Sequence, residues 1–405
     1  MAMLVMFGAI GLGRFGYTSI LPFMQKDLGM SNTEAGFLAT ANLAGFTVSA
    51  AIGGLLASRF GARAVTAAGL ALVGLGLVLA GFATGVGSAA VARAMTGIGT
   101  SVGTVPAMAL VSGWFEPRRR GLASGVPFIG TSIALVVTGP TVPRLIAAGG
   151  EEGWRIPWHL FGGIALAMAV AAYLVFREAP REKRFLYSAV PTPIGDRTTH
   201  IWRTLSSRPA LHLALVYLLF GFSYLIYVTF FTKRLIDDAG YSPEVAGTLF
   251  MVVGWASFPC GILWGHASDR IGRGNALASV CFLNAASFTL FAFWTSWPSL
   301  VLSAVLFGLS AWSVPGIMTA TCRDAFGARL TPAVLGFVTL FYGLGQTVSP
   351  TVAGWTADSF SSFRPAFILA AGVALLGAIV AFFFRTPQQA AHETVYGETV
   401  AYPAL

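Results

Sequence analysis

Stretches of about 20 apolar residues recur along this chain, separated by short polar breaks. A helix needs about 20 such residues to cross ~30 Å of hydrocarbon, so each stretch has the length of one membrane span. Only 10% of the 405 residues are charged and 56% are hydrophobic, whereas a soluble domain is roughly 25% charged. Because a helix satisfies its own backbone hydrogen bonds in lipid, the sequence predicts an all-α membrane protein rather than a soluble enzyme.

These stretches predict twelve transmembrane helices arranged as two six-helix bundles. The longest polar break, residues 177–208, is rich in proline and charge and separates two sets of six. We therefore expect an N-terminal bundle over residues 1–178, a cytoplasmic linker over 179–207, a C-terminal bundle over 208–385 and a cytoplasmic tail over 386–405. The spans are expected near residues 2–24, 33–57, 64–84, 88–113, 121–146, 156–176, 209–232, 244–267, 274–294, 299–320, 332–355 and 364–384.

The distribution of basic residues predicts the orientation of the chain. If both termini are cytoplasmic, 17 of the 25 lysine and arginine residues fall in cytoplasmic loops and 6 fall outside. The positive-inside rule favours this arrangement, which accounts for the net charge of +9 without a nucleic-acid partner. We expect a monomeric, multi-pass protein in the lipid bilayer of a bacterial cytoplasmic (inner) membrane.

The three cysteines predict neither a disulfide nor a metal site. Cys260, Cys281 and Cys322 lie far apart, in or beside apolar segments, and lack metal-ligand spacing. We expect no metal and no cofactor.

A repeat with a displacement of 211 residues relates the two halves. The pattern Gly-x-x-x-Ser-Arg-x-Gly at 54–61 returns as Gly-x-x-x-Asp-Arg-x-Gly at 265–272. The same displacement maps Gly97 onto Gly308 and Gly125 onto Gly336. Duplicated halves around a central cavity are typical of transporters, in which one half rocks against the other around a site at mid-depth.

The first span contains a glycine pattern with an arginine inside it, GLGRFGY at residues 11–17. The spacing Gly-x-Gly-x-x-Gly also occurs in dinucleotide-binding proteins, but there it follows a strand and opens a helix of a soluble βαβ unit. Inside a membrane span, Gly11, Gly13 and Gly16 are better suited to close helix packing, or to a bend around Arg14.

The depth of Arg14 makes it the principal candidate for a binding site. It lies about 11 residues before the outer end of its span, or ~16 Å deep at 1.5 Å per residue. An arginine at this depth costs ~3 kcal/mol on insertion scales, so it should face a wet cavity or a bound anion. The favoured interpretation is an anchor for a substrate carboxylate. The alternatives are an arginine that caps helix carbonyls, or one that snorkels to the interface.

The acidic residues support an anionic substrate. All 16 aspartates and glutamates fall in loops, in the tail or at span ends, so none is available to neutralise Arg14 at mid-depth. Glu34 and Asp358 come closest, and we expect both to flank their spans near the outer end. A cavity with fixed arginine and no fixed carboxylate favours an organic anion over a cation.

Other polar and aromatic residues within the spans are weaker candidates. Arg93, in the fourth span, shares a helical face with Thr100 and is expected either to serve coupling or ligand binding, or to hold neighbouring helix carbonyls. The seventh span carries an aromatic stripe that either lines a cavity or packs the core, formed by Tyr217, Phe220, Tyr224 and Tyr227. The expected substrate-binding residues are Arg14, Tyr17, Asn42, Thr100, Tyr224, Tyr227, Trp312, Tyr342 and Gln346.

Several segments resemble the major facilitator superfamily. Its signature loop is similar to GGLLASRFGAR at 53–63 and GHASDRIGR at 265–273, although Ser58 stands where the family usually carries aspartate. The segment Arg93-x-x-x-Gly97-x-Gly99 resembles its second motif. Loops of the oxalate/formate exchangers and monocarboxylate carriers are similar to WFEPRRRGLASG at 114–125 and GWR at 153–155, and the opening of a poorly characterised bacterial group is similar to GRFGYTSILP at 13–22.

The resemblance implies a transporter, not an enzyme, with coupling or gating roles for Arg93, Arg59, Asp269 and Arg270. Together with Arg14 and the distribution of acids, it favours secondary active or facilitative transport of small organic anions, mono- or dicarboxylates, by alternating access. Whether the protein is an antiporter, a symporter or a uniporter stays open. The alternative is a multidrug or amphipath efflux transporter, suggested by the aromatic content and by the pair Gly139-Pro140. A substrate-sensing receptor on the same scaffold is a third possibility, for which neither linker nor tail offers a signalling domain.

Overall fold

A computed structural model of the protein describes residues 1–114, 120–176 and 202–385. Within these ranges ten helices are long and apolar enough to span a membrane, and two bent helix pairs pass the same test as one span each. The expected linker and tail lie largely or wholly outside the described residues, as do residues 115–119 of the segment WFEPRRRGLASG. We label the spans α1 (Ala2–Asp27), α2 (Asn32–Phe60), α3 (Ala62–Gly81), α4 (Val86–Trp114), α5 (Arg120–Ala148), α6 (Arg155–Val175), α7 (Arg208–Asp237), α8 (Pro243–Ser257 with Cys260–Ile271), α9 (Arg273–Phe293), α10 (Trp297–Gly327), α11 (Leu330–Phe360) and α12 (Arg364–Phe382).

The repeated loop folds in the same way in both halves. α2 ends at Gly61, which has φ 86° and ψ 146°, and α8 ends at Gly272, which has φ 88° and ψ 153°. Both angles lie in a region that L side chains avoid, so glycine permits the chain to turn from one helix directly into the next. These two glycines are separated by the 211 residues of the sequence repeat.

Helix packing follows the repeat as well. A Cβ atom on Gly97 of α4 would lie 1.8 Å from the carbonyl oxygen of Asn42, and one on Gly308 of α10 would lie 2.6 Å from that of Val253. Asn42 and Gly97 map onto Val253 and Gly308 with the same displacement of 211. Because any side chain larger than hydrogen would clash, the duplicated glycines hold equivalent helices in backbone contact.

The two bundles meet closely at one end of the molecule, which we call the distal end. It carries the connection between α1 and α2 and lies opposite the first and last described residues. A Cβ atom on Gly36 of α2 would lie 2.1 Å from the carbonyl oxygen of Pro350 of α11, and one on Gly247 of α8 would lie 2.1 Å from that of Gly139 of α5. This is again one contact repeated with the displacement of 211, so two equivalent seams, α2–α11 and α5–α8, join the bundles.

A carboxylate closes the α2–α11 seam. Asp358 of α11 accepts hydrogen bonds from the backbone N–H groups of Asn32 and Thr33, at 2.9 and 2.8 Å, and from the Thr33 hydroxyl at 2.6 Å. A carboxylate satisfies the unpaired N–H groups at a helix N-terminus and interacts favourably with the helix dipole. Glu34 caps the same terminus from within, since it accepts from the Ser31 N–H at 2.8 Å. Both acids lie at the distal end of their helices, as expected.

The structure corrects the expected end of the seventh span. We placed that end at residue 232, whereas α7 continues to Asp237 and buries the side chains of Lys233 and Arg234. Lys233 pairs with Asp237, and the Arg234 guanidinium donates to the carbonyl of Ala292 at 2.8 Å. Because these contacts satisfy part of the charge, a helix end that appears polar in sequence is packed inside the C-terminal bundle.

Candidate functional site

The middle of α1 is a π-helix over Phe7–Phe15, the segment that contains Arg14. π-helical turns are wider than α-helical turns and occur frequently at functional sites. Its glycines pack closely, since a Cβ atom on Gly11 would lie 2.1 Å from the Cβ of Ala134 on α5. The glycine pattern therefore serves helix packing, as the sequence favoured.

Side chains of α4 bond to the backbone of this π-helix. Arg93 donates from Nη1 to the carbonyl of Gly13 at 2.7 Å, and Thr100 donates to the carbonyl of Ala9 at 3.1 Å. The Arg93 guanidinium carbon lies 4.5 Å from the ring centre of Tyr17, and Arg93 is 1% exposed. Of the two roles expected for Arg93, these contacts match the bracing of helix carbonyls, because they join α4 to the backbone of the π-helix.

Arg14 lies buried where the two bundles meet. The side chain is 9% exposed, and its guanidinium carbon lies 4.7 Å from the ring centre of Phe46 on α2. Its Nε and Nη2 atoms are buried without a hydrogen-bond partner among the described residues, and no described carboxylate forms an ion pair with it. A buried charge without a partner is strongly unfavourable, so these two donors are able to bind a ligand with acceptor atoms.

A small cavity of about 10 Å³ adjoins Arg14, about the volume of one water molecule. Helices of both bundles line it: Arg14, Phe15, Tyr17, Thr18, Ala39, Asn42, Leu43 and Arg93 come from the N-terminal bundle, and Leu225, Val228 and Thr229 come from α7. Four of the expected residues, Arg14, Tyr17, Asn42 and Arg93, thus surround one cavity at the bundle interface. Asn42 donates from Nδ2 to the carbonyl of Arg93 at 3.0 Å, while its Oδ1 has no partner among the described residues.

An aromatic wall on the C-terminal bundle includes two further expected residues. Tyr342 of α11 stacks on Tyr217 of α7, with ring centres 4.5 Å apart, and its hydroxyl donates to that of Tyr224 at 2.9 Å. The next residue, Gly343, lies against Thr47 of α2, which adjoins Phe46 in the chain. Gln346, one helical turn further along α11, is fully buried, and neither its Nε2 nor its Oε1 has a partner among the described residues.

The remaining expected binding residues lie outside this group. The Tyr227 hydroxyl forms a hydrogen bond with the Ser303 hydroxyl at 2.8 Å, and its ring is enclosed by phenylalanines of the C-terminal bundle. This residue of the aromatic stripe therefore packs in the core and does not line the cavity. Thr100 has its hydroxyl on the α1 backbone. Trp312 packs edge-on against Phe15, with ring centres 6.0 Å apart, and joins the bundles beside the cavity without lining it.

Of the four residues expected to serve coupling or gating, Arg93 lines the central cavity, whereas Arg59, Asp269 and Arg270 lie at the end opposite the distal end. Asp269 pairs with Arg273 at 2.6 Å, and Arg273 also binds Asp324 of α10 at 2.8 Å. Arg270, the neighbouring base of the motif, is exposed, and the guanidinium carbon of Arg59 lies 5.4 Å from the ring centre of Phe60. The base that pairs with Asp269 is therefore Arg273, the first residue of α9, which follows the turn at Gly272.

Sequence reasoning missed several residues of the site and its frame. Phe46 lies under Arg14, and Thr18 and Thr229 line the cavity. Thr18 also donates to the carbonyl of Val228 at 2.9 Å, a bond that ties α1 to α7. Asp358 was assigned a flanking position, but its cross-bundle contacts were not foreseen. Apolar and small polar residues in a membrane span carry no sequence signal that separates lipid-facing from cavity-facing positions.

Comparisons with known proteins agree with this architecture. The model of the family described as "Uncharacterised MFS-type transporter YbfB" matches residues 6–382. The chain is 23% identical over 400 residues to the hexuronate transporter of Bacillus subtilis (strain 168), covering 93% of this chain and 91% of that one. It is 26% identical over 373 residues to monocarboxylate transporter 3 of Rattus norvegicus, covering 88% and 73% of the two chains.

The fold is also that of solved transporters. A bacterial homologue of the human lysosomal transporter Spinster, in an inward-facing and occupied conformation, aligns with a TM-score of 0.75 at 15% identity over 95% of both chains. The arrangement of two six-helix bundles thus agrees with a known architecture. Because the family model covers nearly the whole chain, this protein belongs to the YbfB-type family of the major facilitator superfamily, and it is a transporter and not an enzyme.

Proposed function

We propose that this protein transports small organic anions, mono- or dicarboxylates, and that Arg14 binds the carboxylate. The observation that carries the proposal is the buried Arg14 guanidinium with two unpaired donor atoms and no ion pair to a described carboxylate. A carboxylate accepts two parallel hydrogen bonds from a guanidinium and supplies the missing charge. Two similar proteins are named for acidic substrates, a hexuronate and monocarboxylates, which supports the same chemical class here.

The position of the cavity supports alternating access as the mechanism. α1, α2 and α4 line it from one bundle and α7 lines it from the other, so a rocking motion between the bundles changes its exposure. In this conformation the distal seams α2–α11 and α5–α8 are in backbone contact. Substrate held between the bundles is therefore separated from the distal side, which the positive-inside rule places outside the cell.

Counterflow into proteoliposomes tests the proposal directly. A panel of labelled mono- and dicarboxylates is offered to the parent protein and to Arg14→Gln. A hydrogen bond to a charged group contributes about 1.5–3 kcal/mol, so we expect Arg14→Gln to lower the apparent affinity for the transported anion roughly 10- to 100-fold. Arg364→Gln is the matched control, since it removes the same charge from an exposed position at the distal end of α12.

Two results would contradict the proposal. Equal anion uptake by the parent and by Arg14→Gln would remove Arg14 from the site. Export of amphipathic dyes without movement of any carboxylate would instead establish the multidrug efflux alternative.

A further inference from the structure

Two buried amide side chains at the site present groups that a carboxylate cannot satisfy. Oδ1 of Asn42 and Oε1 of Gln346 are hydrogen-bond acceptors without a partner among the described residues. The assignment of Asn42 is fixed by its neighbour, because the atom that faces the Arg93 carbonyl must be the donor nitrogen. For Gln346 both amide atoms lack a partner, so one of them is an unpaired acceptor in either orientation.

Gln346 lies on the wall of the interface that faces the N-terminal bundle. Along the α2–α11 seam, Thr40 donates to the carbonyl of Thr347 at 2.6 Å, and Gly343 packs against Thr47. Gln346 stands between these two contacts, at the level of Asn42 on α2. It is also one helical turn from Tyr342 of the aromatic wall. The Gln346 side chain is fully buried, and neither of its amide atoms has a partner among the described residues.

The unpaired groups specify what the substrate carries besides its carboxylate. A carboxylate offers only acceptor oxygens and so pairs with the Arg14 donors, whereas an unpaired amide oxygen requires an O–H or N–H donor. A cationic ammonium donor is disfavoured next to two arginines, since none of the described residues that line the cavity is acidic. The donor that remains is a neutral hydroxyl group.

Resting on the proposed function, we propose that the substrate is a hydroxylated organic acid, a hydroxy acid or sugar acid. Its carboxylate binds Arg14, and its hydroxyl groups donate to Asn42 and exchange hydrogen bonds with Gln346. Sites built to bind a hydroxyl discriminate strongly against the analogue that lacks it, because that analogue leaves a buried polar group unpaired.

Matched pairs of anions that differ only in hydroxyl groups test this inference. In proteoliposomes, glycerate is compared with propionate, and gluconate with hexanoate, as competitors of anion counterflow. We expect each hydroxylated anion to compete at least about tenfold better in the parent protein. In Gln346→Met, which keeps the length of the side chain and removes both polar groups, this preference should fall severalfold. Ser349→Ala is the control, because that buried hydroxyl bonds only to the carbonyl of Gln346 within its own helix.

Each outcome decides the inference. Equal or better competition by propionate and hexanoate in the parent overturns it, although the anion-transport proposal stands. An undiminished preference in Gln346→Met removes Gln346 from the hydroxyl site. If no anion of the mono- and dicarboxylate panel is transported by the parent protein, the proposed function fails and this inference fails with it. A thermal unfolding temperature of purified Gln346→Met close to that of Ser349→Ala shows that the variant is folded.

Discussion

At the scale of single residues, two buried arginines that line the same cavity differ in their hydrogen-bond partners. Both are buried at one cavity, but Arg93 bonds from Nη1 to the Gly13 carbonyl and leaves Nε without a partner, whereas Arg14 leaves both Nε and Nη2 without a partner among the described residues. A bonded guanidinium stabilises the fold, and an unpaired one is available to a ligand. The hydrogen-bond partner, and not the residue type or its depth, therefore distinguishes the two.

Replacement of Arg93 should reveal its bracing role. Arg93→Met keeps much of the side-chain volume but leaves the Gly13 carbonyl without its donor, which costs about 1–3 kcal/mol for a buried group. We expect a lower thermal unfolding temperature for the purified protein in detergent. Thr96→Val, whose hydroxyl bonds only to the Ala92 carbonyl of its own helix, should unfold close to the parent. An unchanged unfolding temperature for Arg93→Met would show that another group holds the π-helix.

At the scale of elements, the π-helix of α1 depends on its neighbours. Gly11, which has no side chain, packs against Ala134 of α5. The carbonyls of Ala9 and Gly13 accept hydrogen bonds from side chains of α4. The wider turn shifts the register of α1 between its two α-helical ends. The orientation of Arg14 at the interface is thus set by helices that follow it by more than 75 residues.

A larger side chain at Gly11 tests this dependence. Gly11→Ala places a Cβ atom 2.1 Å from that of Ala134, so α1 or α5 must shift. Overpacking of this kind costs about 1–3 kcal/mol. We expect a lower unfolding temperature together with weaker anion binding, since Arg14 moves with the helix. Gly29→Ala is not a suitable control because its φ is positive, whereas Gly372→Ala on α12 has open space and should behave like the parent. A Gly11→Ala protein with parental stability and binding would contradict the account.

At the scale of the whole molecule, the two distal seams are equivalent in packing but not in polar contacts. Asp358 caps α2 across the α2–α11 seam. The displacement of 211 maps Asn32 onto Pro243, which has no backbone N–H to donate, and it relates Asp358 to Ala147. Among the described residues, this charged cap therefore joins the α2–α11 seam and has no counterpart at the equivalent position of the α5–α8 seam. We expect the distal closure to depend on it.

Removal of this cap should favour opening of the distal end. Loss of a capping side chain costs about 1 kcal/mol, which shifts a two-state equilibrium about fivefold. We expect Asp358→Ala to increase by about this factor the rate at which a membrane-impermeant maleimide labels Thr229→Cys in the cavity from the distal side. The three native cysteines are buried. Asp27→Ala is the matched control, since Asp27 lies at the same end but accepts from Trp154 at 2.9 Å within one bundle. Equal labelling of the Asp358→Ala and control proteins would show that the cap does not hold the closure.

The sequence by itself determined the helices, their duplication and the isolation of Arg14 from acidic residues. Each of these can be read from the chain without knowledge of its contacts. An apolar segment of about 20 residues must form a helix in lipid, because the helix satisfies its own backbone groups. The repeat appears as the same pattern at a fixed displacement, and the positions of aspartate and glutamate are counted directly. Only the tertiary structure decided that Arg93 has a carbonyl partner while Arg14 has donors to spare, that Tyr227 packs the core, that Lys233 and Arg234 are buried, and that Asp358 caps α2. These outcomes depend on which helix faces which, across separations from 58 residues for Arg234 and Ala292 to 326 for Asn32 and Asp358. In a membrane span an apolar surface suits lipid and protein neighbours equally well.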